Sequence, residues 1–312
     1  MRKFSFIILV CAVSFFALLP NYSSALTVGP GKLEYSTDPN TNINGNFFLF
    51  NENNEAKTFY PVFEKFIEEN GEKRFLREES DLATWVKTAT SVALSAKEQK
   101  EVPFTIEVPE NAPPGGHFAV IWWSTAPPNA SGTERVSIVT RVGVLVLLRV
   151  SGDIREEAEL LKFDTSRRLF GSSIGQWLRL FGGLPVSFDV VFLNKSNVYV
   201  KPRGEIVIKD IFGRTKTTIG VNNTDLQILP ESKRSFTVEW RETKFAFGPY
   251  KANLDLTYGE SKKSLESSFW FVVIPWKAMV LVLLGLFFVF WGIPTMVKRY
   301  NRWIIKKAQN EK

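Results

Sequence analysis

Cysteine and histidine are almost missing from this chain of 312 residues, which has one cysteine, Cys11, and one histidine, His117. Cys11 lies in an apolar N-terminal run that we predict to be a signal peptide. The rest of the chain therefore has no thiol for a disulfide, a nucleophile or a metal ligand. We predict no metal site and no cofactor, and folded domains that are stabilised by their apolar cores alone.

Catalytic motifs are equally scarce. A serine hydrolase triad would have His117 as its one candidate base, and no GxSxG sequence accompanies it. Neither a cluster of histidines nor a glycine-rich phosphate loop is present. Paired carboxylates such as Glu156-Glu157 keep an envelope glycoside hydrolase as an alternative, although they lie in runs typical of solvated turns. We predict no catalytic residues and a protein that is not an enzyme.

The first 25 residues have the pattern of a secretory signal peptide. Two basic residues precede an apolar run from Phe4 to Leu19, and small residues lead up to a cleavage site that we predict after Ala25. One alternative is an uncleaved anchor, for which the run is short. The other is a lipoprotein with a lipidated Cys11, which the large Val10 before it disfavours.

A second apolar run, from Ala278 to Val297, is long enough to cross a bilayer as a helix. At about 1.5 Å per residue it covers about 30 Å, the thickness of the hydrocarbon layer. Five Lys and Arg residues follow between Lys298 and Lys307, and such a cluster marks the cytoplasmic side. We predict a single-pass plasma-membrane protein with a transmembrane helix over 276–297, a cytoplasmic tail over 298–312 and N-terminal domains that are extracellular.

The net charge of +7 follows from this topology. Arg2 and Lys3 contribute two positive charges, Lys277 contributes one and residues 298–312 contribute a net five, which leaves one negative charge for residues 26–276. The predicted outer portion is thus close to neutral. We therefore expect no nucleic-acid partner.

Between the two apolar runs, short β-rich segments alternate with clusters of Asn, Pro and Gly. The clearest segments are Asn46–Phe50, Thr58–Ile67, Glu101–Val108, His117–Ser124, Arg135–Val150, Glu205–Ile211, Ser235–Trp240, Tyr250–Tyr258 and Ser267–Ile274. Many short strands at this spacing are typical of antiparallel sandwiches. We predict an all-β fold of two immunoglobulin-like antiparallel β-sandwiches in tandem, over 26–152 and 153–275, plus one C-terminal transmembrane helix.

The two halves show a faint repeat. Phe104 and Phe236 lie 132 residues apart in similar segments, and Phe50-Asn51 resembles Leu193-Asn194 at a separation of 143. The unequal separations require an insertion in one of the halves. Two related sandwiches account for the repeat, and chance similarity between strands is the alternative.

The segment Phe118–Trp123 is a candidate for partner contact. Alternation places Trp122 on one face of the strand and Trp123 on the other, and both faces are apolar. One interpretation is a central strand with both faces covered. The other leaves Trp123 exposed as an anchor for a glycan or a protein.

The segment 167–183 breaks the β pattern and forms an aromatic insert near the start of the second half. Phe170, Trp177 and Phe181 recur there at helical spacing among glycines and arginines. Either the insert packs on its own sandwich, or its aromatic face contacts a partner or the outer leaflet of the membrane.

Several of these segments together resemble a known family. A strand that ends in Phe50-Asn51, a strand over Glu101–Val108 and the sequence Val108-Pro-Glu-Asn-Ala-Pro-Pro-Gly-Gly-His-Phe118 resemble the pilus-chaperone-like, immunoglobulin-like domain of bacterial surface proteins. The order of signal peptide, two domains, one span and a basic tail is similar to the WxL-interacting proteins of Gram-positive bacteria. The resemblance implies non-catalytic binding or scaffolding at the cell envelope, towards another envelope protein or a cell-wall polymer. The alternative is a chaperone-like assembly factor that acts by β-strand addition.

Overall fold

The computed structural model describes residues 26–78, 80–127, 140–165, 180–181, 185–241, 246–273 and 276–310. The predicted signal peptide lies outside these residues. The described residues fall into two compact units, of which the first comprises residues up to 67 and 73–154 and the second comprises 68–72 and residues from 155 onward. Each unit is a β-sandwich, and the chain of the second continues into an apolar helix.

The first unit contains ten described strands and one short helix, α1 (Leu82–Trp85). The strands are β1 (Leu26–Gly29), β2 (Lys32–Thr37), β3 (Asn42–Asn51), β4 (Lys57–Glu69), β5 (Glu72–Leu76), β6 (Val86–Thr88), β7 (Val92–Leu94), β8 (Gln99–Glu107), β9 (Gly115–Ser124) and β10 (Arg141–Val150).

Their order is that of an immunoglobulin-like sandwich. One sheet runs β1-β3-β8-β6, and the other runs β2-β10-β9-β4-β5, with β7 beside β4. The chain enters in the first sheet as β1, crosses to the second and runs as β2 parallel to β10, with Leu145 opposite Lys32 and Val150 opposite Thr37. Strand β9 pairs antiparallel with both β10 and β4.

The alternation in β9 explains the core of this unit. Ala119, Ile121 and Trp123 face the other sheet and are fully buried. Trp122 faces outward, where it meets the Phe75 ring edge-on at 5.0 Å between centroids and donates its indole N–H to Glu64 at 2.7 Å. The β4-β5 hairpin thus covers the outward face of β9, so β9 is the central, doubly covered strand of the first interpretation.

The second unit contains eight described strands. They are β11 (Ala158–Thr165), β12 (Leu180–Phe181), β13 (Val186–Asn194), β14 (Arg203–Asp210), β15 (Thr215–Val221), β16 (Lys233–Trp240), β17 (Gly248–Tyr258) and β18 (Lys263–Val273). One sheet runs β11-β13-β16 and the other runs β12-β18-β17-β14-β15. As in the first unit, a strand near the start of the domain, β12, runs parallel to the last strand of the domain, β18.

The repeat seen in the sequence connects equivalent strands. Phe104 lies in β8 and Phe236 in β16, and each of these strands pairs with the strand that ends in an asparagine, β3 or β13. The extra residues lie in the first unit, between β3 and β8, because 53 positions separate Asn51 from Phe104 whereas 42 separate Asn194 from Phe236.

The two strand-end asparagines make the same bonds. Asn51 and Asn194 are fully buried. Each donates to the carbonyl four residues on, at 2.8 Å for Asn51 and 2.9 Å for Asn194, and each accepts the N–H two residues on. Each also donates to a distant loop, Asn51 to Ser95 O at 2.8 Å and Asn194 to Ile228 O at 2.9 Å. One buried amide therefore joins two loops in each sandwich.

The C-terminal segment is helical. It consists of α2 (Trp276–Phe287), a π-helical turn over Phe288–Gly292 and α3 (Ile293–Asn310). Pro294, which lacks an N–H, directly follows the wider turn. Within this segment Val280–Ile304 is long and apolar enough to cross a membrane. The predicted fold class, all-β with two antiparallel sandwiches and a C-terminal apolar helix, is confirmed.

Candidate binding surfaces

The structure corrects the prediction that Trp123 is an exposed anchor. Its side chain has 0% exposure, and its ring meets Phe47 edge-on at 6.2 Å between centroids. The reason is positional: β9 lies between β10 and β4, and Trp123 belongs to the set of residues that faces the opposite sheet. Sequence alternation separates the two faces of a strand but does not say which of them is inside.

Two of the three predicted residues of the aromatic insert, Phe170 and Trp177, lie outside the described residues. Phe181 lies in β12, where the backbone of Leu180–Phe181 pairs in parallel with Val272 and Val273 of β18. That pairing places this part of the insert next to the end of β18, two residues before the C-terminal helix region begins.

His117 is held by structural bonds. Its Nδ1 lies 2.5 Å from Asp81 Oδ1 and its Nε2 lies 2.8 Å from the Pro113 carbonyl oxygen. Both ring nitrogens thus bond to structural partners within the same sandwich. Burial raises the pKa of Asp81, but the hydrogen bond and charge of His117 and the charge of Lys65 outweigh it, and the net pKa is lowered.

The carboxylate of Glu156 also has a structural role. It accepts the backbone N–H groups of Glu260 at 3.0 Å and Ser261 at 3.2 Å and so holds the turn between β17 and β18. Among the described residues, no group of three or more His, Cys, Asp or Glu could hold a metal ion. The absence of catalysis stays a prediction.

Most sheet edges in the described residues carry features that discourage pairing with another chain. Charged side chains lie along β2, β5, β15 and β16, and a bulge interrupts β11 between Leu160 and Lys162. In the described part of the chain, β12 flanks the last strand of the second sandwich, β18, at Val272 and Val273. The edge before these residues starts with the polar sequence Lys-Ser-Leu-Glu-Ser-Ser and ends with Phe269-Trp270-Phe271.

The first residues of β10 are different. On one side β10 pairs with β9 along Arg141–Val150, but on the other side β2 pairs with Leu145–Val150 only. No described strand pairs with Arg141–Val144 on that second side. The Leu145 N–H points there, since it donates to Gly31 O at 3.1 Å. With a period of two, the backbone groups of Gly143 and Arg141 point the same way.

This open segment has the sequence Arg-Val-Gly-Val. Val144 is buried, Val142 packs against the core and Gly143 leaves room for the Trp122 ring, which would lie 2.7 Å from an added Cβ. Arg141 is the sole charge, and its guanidinium points to Glu64 at 3.4 Å. The segment therefore has backbone groups with which no described strand pairs, and its side chains other than that of Arg141 are apolar.

A second exposed feature is the turn between β14 and β15. Asp210 accepts the N–H groups of Phe212 at 2.9 Å and Arg214 at 3.0 Å, and its other oxygen binds the Arg214 guanidinium at 2.9 Å. Burial alone raises the pKa of Asp210, but the bonds from Arg214, Lys216 and Phe212 lower it to about 2. The ionised carboxylate thus shapes a turn that leaves the Phe212 ring 73% exposed.

Comparisons with known proteins give structural likeness only. No family model matches the sequence, and no curated protein matches it. Among solved structures, the chain is similar to the chaperone–tip adhesin complex of CFA/I fimbriae, with 10% identity over 78% of this chain and 98% of the other and a TM-score of 0.41. It is similar to the class 5 fimbriae chaperone CfaA, with 11% identity over 80% and 99% of the two chains and a TM-score of 0.40.

A third similar structure is the complex of the SafA pilin with the SafB chaperone of Salmonella enterica, with 8% identity over 81% of this chain and 98% of the other and a TM-score of 0.38. Identities and TM-scores this low do not show a shared function.

Proposed function

We propose that this protein is a membrane-anchored, non-catalytic binding or scaffolding protein of a bacterial cell surface. In this proposal residues 1–25 are a signal peptide, the helix around Ala278–Val297 spans the plasma membrane and both sandwiches lie outside the cell. The observation that supports it most is the helix Val280–Ile304, which is apolar and whose described side chains are exposed. The Lys and Arg residues that follow favour a cytoplasmic C-terminus.

The topology is tested by adding protease to intact cells that carry an epitope at either end of the mature chain. We expect loss of the sandwiches and protection of the C-terminal epitope. Digestion of the tail with survival of the sandwiches would contradict the proposal. Purification from detergent-solubilised membranes, beside sedimentation with cell wall, then separates an envelope-protein partner from a wall polymer.

Strand addition at β10 is the second candidate function, and the open segment Arg141–Val144 favours it. An extended peptide could form main-chain hydrogen bonds with Arg141 and Gly143 and present apolar side chains beside Val142. The last strand of the first sandwich, β10, begins with an apolar segment that no described strand pairs on this side. The last strand of the second sandwich, β18, begins with a polar one. The proposed partner is therefore a protein with an apolar, extended segment.

Two substitutions at one position test this candidate. Arg141→Pro removes an outward N–H at the open edge and leaves the bonds that neighbouring residues make to β9. Arg141→Ala is the matched control, because it loses the same bond to Glu64 but keeps the N–H. We expect the proline variant to lose the protein that co-purifies from membranes and the alanine variant to keep it. Equal co-purification with both variants would rule out pairing at this edge.

A further inference from the structure

We infer that the second sandwich makes its own contact with the membrane, through an apolar and basic surface at the end from which the C-terminal helix continues. We call this the helix-proximal surface, and it consists of Ile211, Phe212, Phe247, Trp270 and the neighbouring lysines Lys209 and Lys251. The inference rests on the proposed function in that the helix must first hold the sandwich at a bilayer. Its partner is the headgroup region of that bilayer, including anionic phospholipids.

Strand register places these residues at one end of the sandwich. Asp210, which precedes the β14-β15 turn, lies opposite Tyr250, and Gly248 lies opposite Val273. Phe247 directly precedes Gly248 in the chain. Val273 is three residues from Trp276, where α2 begins, a span of about 11 Å at most. The turn, Phe247 and the helix are therefore close to the same end of the sheet.

Exposure singles out this end. Within the described parts of the two sandwiches, four large apolar side chains are more than half exposed: Phe212 at 73%, Phe247 at 62%, Ile211 at 56% and Trp270 at 51%. All four belong to the helix-proximal surface. Scattered exposed apolar residues are normal in soluble proteins, whereas a cluster at one site marks an interaction surface.

Charge changes along the outward face of the same sheet. Towards the helix, one row of this face consists of Lys209, Lys251 and Trp270, which lie side by side on β14, β17 and β18. Four residues further along each strand, about 14 Å away, the corresponding row is Glu205, Asp255 and Glu266. The sheet therefore places its basic row towards the helix and its acidic row away from it.

The turn itself combines both characters. The Arg214 guanidinium lies over the Phe212 ring at 5.0 Å from its centroid. The Asp210 carboxylate holds the turn by accepting the Phe212 N–H. Gly213 adopts a φ of 77°, a conformation that glycine permits. The result is an aromatic tip with a cation beside it.

This chemistry fits a bilayer interface. Tryptophan concentrates at the boundary between headgroups and acyl chains, Phe and Trp on one surface insert there together, and Lys and Arg are attracted to an anionic surface. The surface needs little affinity of its own, because the helix keeps the sandwich at a high effective concentration near the bilayer.

The test uses the full chain in nanodiscs of phosphatidylcholine and phosphatidylglycerol. In a Cys11→Ser background, one cysteine is introduced by Phe212→Cys and labelled with an environment-sensitive dye, and a nitroxide near the top of the lipid acyl chains serves as quencher. Leu226→Cys is the matched control, because Leu226 is exposed at 43% and Asn222 joins its carbonyl to that of Pro202, just before the opposite end of β14. Val282→Cys reports on the helix.

We expect severalfold stronger quenching at position 212 than at position 226. Quenching at position 282 but not at 212 would overturn the inference and leave the anchor in place. No quenching at position 282 would overturn the anchor itself.

The double variant Lys209→Glu/Lys251→Glu sharpens the test. We expect it to weaken quenching at position 212 in discs that contain phosphatidylglycerol and to have no such effect in discs of phosphatidylcholine alone. Equal quenching in the two lipid compositions, with and without the charge reversal, would contradict a role for anionic headgroups.

Discussion

The two sandwiches share a strand order but use the outer face of the larger sheet in different ways. In the first, the outward side chains of β9 are apolar, and the β4-β5 hairpin covers them with Phe66 and Phe75. In the second, the corresponding face is polar and graded in charge from Lys251 to Asp255. The comparison shows that one scaffold can bury this face or leave it available, depending on a single hairpin.

Their last strands also differ. Among the described residues of both units, the parallel neighbour pairs with the second part of the last strand, Leu145–Val150 of β10 and Val272-Val273 of β18. The open start of β18 begins with Lys263 and includes Glu266, whereas that of β10 is apolar after Arg141. Polar edge residues discourage strand addition, so the first sandwich is the candidate for it and the second is not.

Core phenylalanines at equivalent positions should show how alike the two cores are. We expect Phe104→Ala and Phe236→Ala each to lower the free energy of unfolding by about 3–5 kcal/mol. The loss should be larger at Phe104, because its ring stacks on Phe47 at 4.4 Å between centroids. Chemical denaturation of the full chain in detergent measures both. Lys100→Ala, on the exposed face of β8, should change the free energy by about 0.5 kcal/mol or less.

The buried asparagines test the repeat directly. Asn51→Ala and Asn194→Ala each leave buried backbone carbonyls without a donor, which costs about 1–3 kcal/mol for a group of this kind. We expect similar losses in the two variants, each confined to the unfolding transition of its own sandwich. Asn46→Ala is the control, because Asn46 lies on the same strand as Asn51 but is exposed. If only one of the two asparagine substitutions lowered the free energy of unfolding, the equivalent bonds would stabilise the two sandwiches to different extents.

Acid should lower the stability of each sandwich through one carboxylate. We expect this effect to be smaller than those of the phenylalanine and asparagine substitutions. The pKa of Asp210 is lowered from 3.8 to about 2 in the folded chain. Its stabilising contribution is therefore complete above the unfolded value and is lost as the pH falls through about 2. We expect Asp210→Asn to flatten the fall in melting temperature of the second sandwich between these two values. Asp81→Asn should flatten that of the first, since the pKa of Asp81 is also lowered.

Thermal unfolding followed in a series of acidic buffers provides the measurement. If Asp210→Asn and the unmodified chain lost melting temperature in parallel, the turn would not depend on the ionised carboxylate.

Local patterns in the sequence predicted the strands with alternating or aromatic character. Strands β3, β4, β8, β9, β14, β16, β17 and β18 contain or closely match predicted segments. Short or polar strands such as β2 and β15 were not predicted, because their sequences lack apolar alternation and tertiary pairing alone makes them strands. Of the predicted segment Arg135–Val150, residues 135–139 lie outside the described residues, and β10 begins at Arg141.

The candidate surfaces depended on information that no short segment contains. Ile211 ends a predicted β-rich segment, and nothing in the sequence around Phe212 or Phe247 places these two residues together. Strand register does so, since β14 and β17 pair in the same sheet. Aromatic residues in turns at the ends of predicted strands are the sequence signal that would have found them.

Composition, periodicity and the long apolar run were enough to establish an all-β chain in two similar halves with a candidate membrane helix, because these properties arise from neighbours along the chain. Which tryptophan of Trp122 and Trp123 is inside, which strand edge stays open and which exposed rings gather beside the helix follow from pairing between distant strands. A shift of one residue in register would turn the buried face of a strand outward without changing any local pattern.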